Sequence, residues 1–282
     1  MKKVNKQNIA ISVKARLSNI ANNQNVPYHN IEMTFLLERM VARLIKNRKL
    51  AGKIIFKGGY VGLRVYNSPR YTIDIDAIIN NLNIKNISSL IIKVIEADID
   101  DGVWYKYEKE SDLVTSGECG GIRFYFRSGI GEIPKNIKIA KNIHFDIGTG
   151  DIVVPAPKKI ETKSILGEES LSWLVYTIES TCAEKIHALF ARSYDNSRSK
   201  DIFDLYYFLP KCNLNVLNQA IAATFKARND ILPENLSSIL KDIDVELLKL
   251  GWKSAIAGLK DDLDFDLTFR GIIDYFENLE KE

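Results

Sequence analysis

Two aspartates one residue apart are the strongest candidates for chemistry in this sequence. Asp74 and Asp76 lie in the run RYTIDID over residues 70–76, whose alternating apolar and polar residues predict a β-strand. Alternate side chains of a strand share a face, so the two carboxylates point the same way with Cα atoms roughly 6.6 Å apart. Carboxylates at ~5 Å would repel by about 3 kcal/mol at an effective dielectric of about 20. A hard cation, Mg²⁺ or Mn²⁺, relieves that repulsion and is the expected cofactor.

The alternative is an ordinary solvated strand end, where Asp-X-Asp sequences are common. Against it, Ile73, Ile75 and the apolar run 77–79 favour a half-buried strand, in which unpaired carboxylates are costly. A glycine pair, Gly58 and Gly59, precedes the strand by one helix length, so both features could meet at one end of a sheet. Together they indicate a metal site beside a phosphate-binding turn.

A third carboxylate follows in the run FDIG over residues 145–148. Asp146 ends a predicted strand and could serve as a further metal ligand, since two-metal sites often need one. An aspartate at a strand end also commonly starts a turn, and both interpretations stay open. His144 shares its face, where packing or surface exposure is the more frequent role of a histidine.

Two predicted helices carry further charged residues. Lys185 and Arg192 are seven residues apart, so they lie on one helix face and could clamp a triphosphate; a solvated helix face is the alternative. Asp201 and Asp204 are three residues apart and share a face, although Asp201 also suits simple helix capping. The neighbouring aromatic residues, Phe203, Tyr206 and Tyr207, could pack in a core or stack on a base.

The hydrophobic periodicity predicts an α+β core with a mixed sheet, followed by helices. Predicted strands cover residues 54–56, 72–79, 104–110, 122–127 and 143–147, and predicted helices cover 8–24, 30–48, 59–66, 87–99, 179–192, 200–209 and 214–226. More helical segments follow residues 236 and 268. The expected domains are N-terminal helices over 1–50 that pack on the core, a core over 51–160 and a helical domain over 161–282.

Composition indicates a globular protein of ordinary character. The chain has 282 residues, 46% of them hydrophobic and 27% charged, with a formal net charge of +3. Its first fifty residues hold ten lysines and arginines against two glutamates, which suits a basic face toward nucleic acid or simply a solvated lysine-rich surface. Three scattered cysteines predict neither a disulfide framework nor a zinc site. We expect no membrane span, because no apolar run approaches eighteen residues. We expect a cytoplasmic location, because the few cysteines fit a reducing compartment.

The order of these motifs resembles the AbiEii/AbiGii-type nucleotidyltransferases, the toxins of abortive-infection toxin–antitoxin systems. The motifs that carry the resemblance are K-G-G at 57–59, R-Y-T-I-D-I-D at 70–76, D-I-G at 146–148, E-K at 184–185 with the later arginine 192, and K-D-I-F-D-L-Y at 200–206. The openings at 11–17 and 37–39 also look like that family. The resemblance covers residues 8 to about 210, and no single motif in it is specific.

The resemblance implies a polymerase-β-like nucleotidyltransferase core with a mixed sheet and a C-terminal helical domain. It implies that Asp74 and Asp76 hold the metal, with Asp146 as a further ligand, and that the backbone of the glycine pair contacts the triphosphate. Other implied site residues are the catalytic lysine and late aspartate, at Lys185 and at Asp201 or Asp204, and the substrate-binding Lys57, Arg70 and Arg192. One departure is Tyr60, where many relatives have Thr or Ser; we expect it to turn toward the core.

The implied reaction moves a nucleotidyl group from an NTP to an acceptor hydroxyl, and the tRNA 3′ end is the expected acceptor. The basic N-terminal helices could contact its phosphates. A cognate antitoxin is the expected protein partner. A metal-dependent ribonuclease uses similar groups, and a non-catalytic binding module with a decayed site is the third possibility.

Overall fold

A seven-stranded mixed sheet organises the described part of the chain. The computed structural model describes residues 6–79, 84–113, 120–149, 153–167, 169–195, 197–241, 243–259 and 262–279. The strands are β1 (Ile54–Lys57), β2 (Asp74–Ile79), β3 (Val103–Leu113), β4 (Gly121–Ile130), β5 (Lys141–Gly148), β6 (Lys158–Lys163) and β7 (Ser170–Val175). Their order across the sheet is β3-β4-β5-β2-β1-β7-β6. The β1–β7 and β2–β5 pairs are parallel and the other pairs are antiparallel.

Helices cover one face of this sheet. They are α1 (Lys6–Gln24), α2 (Tyr28–Lys46) and α4 (Ile84–Glu96), and their apolar residues join those of the strands in one core. In α2, Phe35, Leu36, Met40 and Leu44 are buried, at the i, i+4 spacing of an amphipathic helix. The strands alternate accordingly: Phe145 of β5 is fully buried, while its neighbours face the other side.

Two arginines of α2 are structural residues. Arg39 and Arg43 are buried and both pair with Asp101, Arg43 through two hydrogen bonds of 2.7 and 3.0 Å. The expectation that the basic N-terminal helices as a whole offer positive charge to nucleic acid is therefore wrong for these two residues. The sequence pattern counted charges but could not show that two later acidic residues, Asp101 and Glu169, pair with these arginines.

The chain after β7 is helical and has its own core. The helices are α5 (Ile178–Arg192), α6 (Ser199–Phe208), α7 (Leu214–Ala227), α8 (Ser238–Lys241), α9 (Val245–Ala255) and α10 (Phe265–Leu279). Large buried side chains, including Phe208, Leu217, Trp252 and Phe276, form a second apolar cluster. Between β1 and β2 lies the remaining helix, α3 (Gly58–Val65).

Most predicted elements are present, with shifted ends. The predicted strand at 72–79 begins at Asp74, so Arg70 and Thr72 lie in the loop before it, and Ile73 is 48% exposed. Sequence reasoning missed β6 and β7, which occupy the segment where a domain boundary was expected. Since both strands belong to the one sheet, we propose that the core extends to residue 175. Among the described helices, none combines the length and apolarity that a membrane crossing requires.

Candidate active site

Four strands bring charged side chains into one row. Lys57 of β1 lies opposite Asp76 of β2, Asp76 opposite Asp146 of β5, and Asp146 opposite Arg123 of β4. Residues directly opposite each other in a sheet point to the same face, so the four side chains line up on the face that α1, α2 and α4 leave free. We call this the Asp76 row. One step along the strands, Asp74, His144 and Tyr125 form a parallel row.

The carboxylate of Asp76 lies directly against Gly58. Gly58 has a φ of +74°, and a Cβ atom placed on it would lie 2.0 Å from Asp76 Oδ2. The left-handed conformation already favours glycine, and the contact with the carboxylate excludes any side chain. The glycine turn and the first aspartate pair thus meet, as the sequence pattern predicts.

The pKa of Asp76 is raised from 3.8 to about 6. Burial of the carboxylate is the largest cause, and the negative charges of Asp146 and Asp74 add to it. The positive charges of Lys57 and Lys185 act in the opposite direction. A carboxylate with such an environment gains from any cation that binds next to it.

The N-terminus of α3 faces this carboxylate row and has no side-chain cap. Lys57 occupies the N-cap position in an extended conformation, and its side chain does not cap the helix. The first N–H groups of a helix carry partial positive charge and bind phosphates well. A Cβ on Gly59 would lie 3.2 Å from the Arg70 guanidinium, so the second glycine lets that cation approach the helix start. Tyr60 is buried, which confirms the expectation that it turns into the core.

Lys185 of α5 joins two aspartates of α6. Its Nζ atom lies 2.7 Å from Asp201 Oδ1 and 2.8 Å from Asp204 Oδ2. Asp204 also accepts two hydrogen bonds from Arg70, at 2.9 and 2.8 Å, and Asp201 pairs with Arg198. The prediction left open which aspartate acts with the lysine. Both aspartates contact Lys185, and Asp204 also binds Arg70.

The charges of this network determine the protonation of its members. We call it the Lys185 network, and its residues are Lys185, Asp201, Asp204, Arg70 and Arg198. Burial would raise the pKa of Asp204, but the charges of Lys185 and Arg70 outweigh it and hold that pKa below 3.8. Burial would likewise lower the pKa of Lys185, yet Asp201 and Asp204 raise it above 10.5. The lysine therefore stays protonated. Three cations against two carboxylates leave the network with one net positive charge.

The network and the carboxylate row lie within electrostatic range of each other. The charge of Lys185 lowers the pKa of Asp76, and the charge of Asp76 raises the pKa of Arg70 and of Arg198. Lys57 links the two parts as well, because its Nζ atom lies 2.8 Å from Glu184 Oε1 of α5. Side chains more than one hundred residues apart thus surround the start of α3.

The three predicted metal ligands share one face, and two of them, Asp146 and Asp74, have other partners. Arg123 donates two hydrogen bonds to Asp146, at 2.8 and 2.6 Å, and His144 Nδ1 lies 2.9 Å from Asp74 Oδ1. Among the described residues, no group of three or more histidine, cysteine or acidic side chains is gathered closely enough to hold a metal ion. Asp74 and Asp76 nevertheless fit a hard cation, because they are oxygen ligands two positions apart on one strand face. Burial and the charges of Asp146 and Asp74 raise the pKa of Asp76, so a cation beside it is favoured.

Arg192 is the predicted site residue that the structure does not bring to the row. It is exposed in the last turn of α5, about 10.5 Å along the helix axis from Lys185. Sequence reasoning also missed residues. Arg123 and Arg198 pair with Asp146 and Asp201, and only Arg123 carried a signal, its place in an alternating strand. Glu184 belongs to the E-K motif, but its pairing with Lys57 was not predicted.

Two cavities of about 670 and 610 Å³ lie beside α1. The larger cavity is lined by α1 and by the segments around residues 98–106 and 131–133. The smaller cavity is lined by α1, by α2 and by residues around 164–169. The Asp76 row belongs to neither. We place the chemistry at the row because the charged groups converge there.

Comparisons with known proteins point to a family for this chain. Residues 39–274 match the family model described as "Nucleotidyl transferase AbiEii toxin, Type IV TA system". A candidate nucleotidyltransferase from H. pylori has a similar structure, with a TM-score of 0.58 and 16% identity over 91% of this chain and 96% of that chain. JHP933 from Helicobacter pylori gives a TM-score of 0.53 and 16% identity over 91% and 94%.

These two structures show the fold alone, and they confirm the predicted nucleotidyltransferase-like fold with its mixed sheet. A search of curated proteins found no match. The family match spans most of the sequence and confirms the resemblance found in the motifs. The chain therefore belongs to the AbiEii family of nucleotidyl transferase toxins of type IV toxin–antitoxin systems.

Proposed function

We propose that this protein transfers a nucleotidyl group from an NTP to an acceptor hydroxyl, with the 3′ end of tRNA as the acceptor. One observation carries the proposal: the uncapped start of α3 lies against Asp76, and Arg70, which pairs with Asp204 of the Lys185 network, lies beside Gly59. A helix N-terminus and buried cations bind a triphosphate. Adjacent carboxylates supply the metal ligands that phosphoryl transfer needs.

In the proposed reaction, the acceptor oxygen forms a bond to the α-phosphorus of the NTP. The bond from that phosphorus to the oxygen that bridges it to the β-phosphorus breaks, and pyrophosphate leaves with that oxygen. The proton of the acceptor hydroxyl passes to solvent or to a carboxylate of the site. A bound Mg²⁺ or Mn²⁺ would be held by Asp74 and Asp76, with Asp146 as a further ligand, and supplies positive charge to the phosphate oxygens.

The chain's own cations act on the phosphates. The N–H groups of Gly58 and Gly59 bind phosphate oxygens, and Lys185 and Arg70 neutralise the charge that grows on the leaving pyrophosphate. Asp201 and Asp204 orient these cations and keep Lys185 protonated, so we assign them a positioning role. Lys57 is a further phosphate-binding candidate. Arg192, the remaining predicted substrate-binding residue, would have to reach the nucleotide from the exposed end of α5.

The test is transfer of radiolabel from NTP to purified total tRNA in the presence of Mg²⁺. We expect labelled tRNA with the wild type and at least a hundredfold less with Asp76→Asn. Asp266→Asn, at a side chain that is 65% exposed, is the matched control and should label tRNA like the wild type. Equal labelling by Asp76→Asn and wild type would contradict the role of the carboxylates.

The same assay separates the other two interpretations. A ribonuclease would shorten tRNA without any NTP, and a binding module would leave its length and label unchanged. Either result with the wild-type protein would overturn the proposal. Omitting the divalent ion, or adding a chelator, should abolish labelling by the wild type.

We propose that the protein acts in the cytoplasm, where NTP and tRNA are available, as the toxin of an abortive-infection pair that protects against phage. Expression without its cognate antitoxin should then arrest growth, and Lys185→Ala should relieve the arrest. Lys253→Ala, at an exposed lysine of α9, should leave the arrest unchanged. Normal growth at high levels of the folded wild-type protein would contradict this part of the proposal.

A further inference from the structure

The free face of the sheet continues beyond the carboxylates across β5, β4 and β3. The alternation of β4 buries Phe124 and Phe126 and leaves Tyr125 and Arg127 on the same face as the Asp76 row. On this face Lys109 of β3 lies opposite Tyr125. We call this area the β3–β5 surface, and its residues are Lys109, Arg123, Tyr125, Arg127, Asn142 and His144.

Tyr125 is the aromatic centre of the β3–β5 surface. Its ring lies edge-on to His144, with the centroids 4.8 Å apart and an interplanar angle of 69°, and the Lys109 ammonium lies 4.8 Å above the ring centroid. An exposed cation–π contact is worth about 0.5–1 kcal/mol, whereas stacking of a base on an aromatic ring is worth about 1–3 kcal/mol. A nucleobase can therefore replace the exposed Lys109 over the ring and leave its ammonium for a phosphate.

A basic turn borders the β3–β5 surface. Arg127 donates hydrogen bonds to the carbonyl oxygens of Lys138 and Ala140, at 3.3 and 3.4 Å, and pairs with Glu108. Residues 131–141 contain three lysines and one glutamate. Lys135 and Lys138 are exposed there. The surface thus presents an aromatic ring between a carboxylate site and a set of exposed positive charges.

We propose that the β3–β5 surface binds the single-stranded 3′ end of an RNA acceptor, with one base stacked on Tyr125 and the backbone leading to the basic turn at 131–141. The inference rests on the proposed function, whose acceptor it specifies as unpaired RNA. Two strand spacings separate Tyr125 from Asp74, about 9.5 Å. That length corresponds to about three steps at 3.4 Å per stacked nucleotide, so the base on Tyr125 lies about three nucleotides before the reacting one.

The charge and shape of this surface favour an unpaired strand. Sequence-tolerant binding of single strands combines aromatic stacking with basic side chains along the backbone, and both are present here. Bases inside a duplex are stacked on each other and do not offer a face to Tyr125. The acidic Glu108 is paired with Arg127, so it does not oppose the phosphates as a free charge.

The test measures binding of a fluorescent single-stranded RNA of about twelve nucleotides that ends in CCA, without NTP, by anisotropy. Tyr125→Ala should weaken binding about tenfold, as the loss of one stacked base implies. Tyr125→Phe keeps the ring face and should bind within about twofold of the wild type. Tyr194→Ala, at a tyrosine after α5 that is 68% exposed, is the control for a tyrosine outside the surface and should bind like the wild type.

Lys138→Ala provides an independent measurement. It should weaken binding of every RNA sequence alike and lower the slope of log K against log salt by about one, as the loss of one phosphate contact requires. Lys253→Ala, on α9, should leave the slope unchanged. An unchanged slope with Lys138→Ala would contradict the proposal that the basic turn contacts the RNA backbone.

The outcomes separate this inference from the proposed function. Equal RNA binding by Tyr125→Ala and wild type, or equal weakening by Tyr125→Phe and Tyr125→Ala, would overturn the inference even if tRNA labelling succeeds. Selective weakening by Tyr125→Ala would support the surface even if no nucleotide is transferred. In the transfer assay, Tyr125→Ala should raise the KM for tRNA and leave the KM for NTP unchanged. Thermal melting checks that each variant is folded.

Discussion

The carboxylate of Asp76 lies against Gly58, and the negative charges of Asp74 and Asp146 oppose its ionisation, while Lys57 and Lys185 favour it. The residue types and spacing of the aspartate pair and the glycine pair predicted this meeting. They could not predict that Arg123 pairs with Asp146 or that Glu184 pairs with Lys57. These pairings follow from strand register and from the packing of α5, which pairwise spacing along the chain does not contain. Residue type thus predicted the candidate ligands better than their partners.

Asp76→Asn should stabilise the fold while it abolishes transfer. Because the folded-state pKa of Asp76 is about 6 and its ordinary value is 3.8, ionisation of Asp76 between those pH values costs stability. The variant avoids that cost, which is about 3 kcal/mol at most. Above pH 6, urea unfolding should therefore show a larger free energy of unfolding for the variant than for the wild type. This difference should disappear toward pH 4. A variant less stable than wild type at neutral pH would contradict the electrostatic argument.

The same site predicts an effect of metal on stability. Mg²⁺ should raise the melting temperature of the wild type, because a ligand that binds only the folded state stabilises it. Asp76→Asn should lose most of that shift, and Asp266→Asn should keep it. Equal shifts for wild type and Asp76→Asn would place the bound ion elsewhere.

Gly58→Ala and Gly52→Ala form a matched pair. Both glycines have nearly the same φ, +74° and +73°, but a Cβ on Gly52 meets nothing within 4 Å, whereas one on Gly58 meets Asp76 Oδ2 at 2.0 Å. The backbone strain alone costs about 1–2 kcal/mol. Gly52→Ala should therefore lower the free energy of unfolding by about that amount and retain activity. Gly58→Ala should lower the free energy of unfolding and lose activity as well. Full activity of Gly58→Ala would contradict the close contact.

At the scale of elements, α5 and α6 form the wall that faces the sheet's carboxylates. Helical periodicity predicted both helices within a few residues, because their apolar faces have the right period. It placed Lys185 and Arg192 on one stripe and suggested that they act together. The structure separates them: Lys185 is held by α6, and Arg192 is exposed at the helix end. The period predicts a face, but the neighbouring helix decides which residue on that face is used.

Asp204→Asn should destabilise the contact of α6 with the loop before β2. Asp204 is buried and binds both Lys185 and Arg70, and the loss of one partner of a buried ion pair costs about 3–5 kcal/mol. Because its pKa is lowered, its stabilisation is present above 3.8 and is lost as the pH falls below that value. Urea unfolding near pH 7 should show the loss, and the difference should shrink near pH 3. Asp266→Asn should show no comparable loss.

At the scale of the whole molecule, β6 and β7 join the sheet after a long excursion of the chain. The predicted boundary near residue 160 divided them from the sheet, because short strands between prolines and a helix give little periodic signal. Trp173 of β7 packs in the core, with its ring centroid 5.4 Å from that of Phe56 of β1. Long-range pairing of this kind depends on tertiary contacts rather than on local pattern.

Trp173→Ala tests the extended core. The side chain is buried and donates a hydrogen bond to Thr162, and its truncation should cost about 3–5 kcal/mol. Urea unfolding followed by far-UV circular dichroism should show the whole transition move to lower denaturant. A separate early transition confined to the helical part would contradict the proposal that the core extends to residue 175.

The passage from β7 to α5 is only two residues long. Tyr176 N donates to Phe56 O at 2.9 Å, which continues the strand ladder, and Thr177 caps α5 through its side chain. Such a short, bonded connection leaves little room for a hinge. When nucleotides enter and products leave, this strand hydrogen bond and this helix cap would have to break before α5 could move away from the sheet at this joint. Turnover would then depend on small side-chain rearrangements, such as exchange of Lys185 between carboxylates and phosphate, rather than on the opening and closing of two lobes.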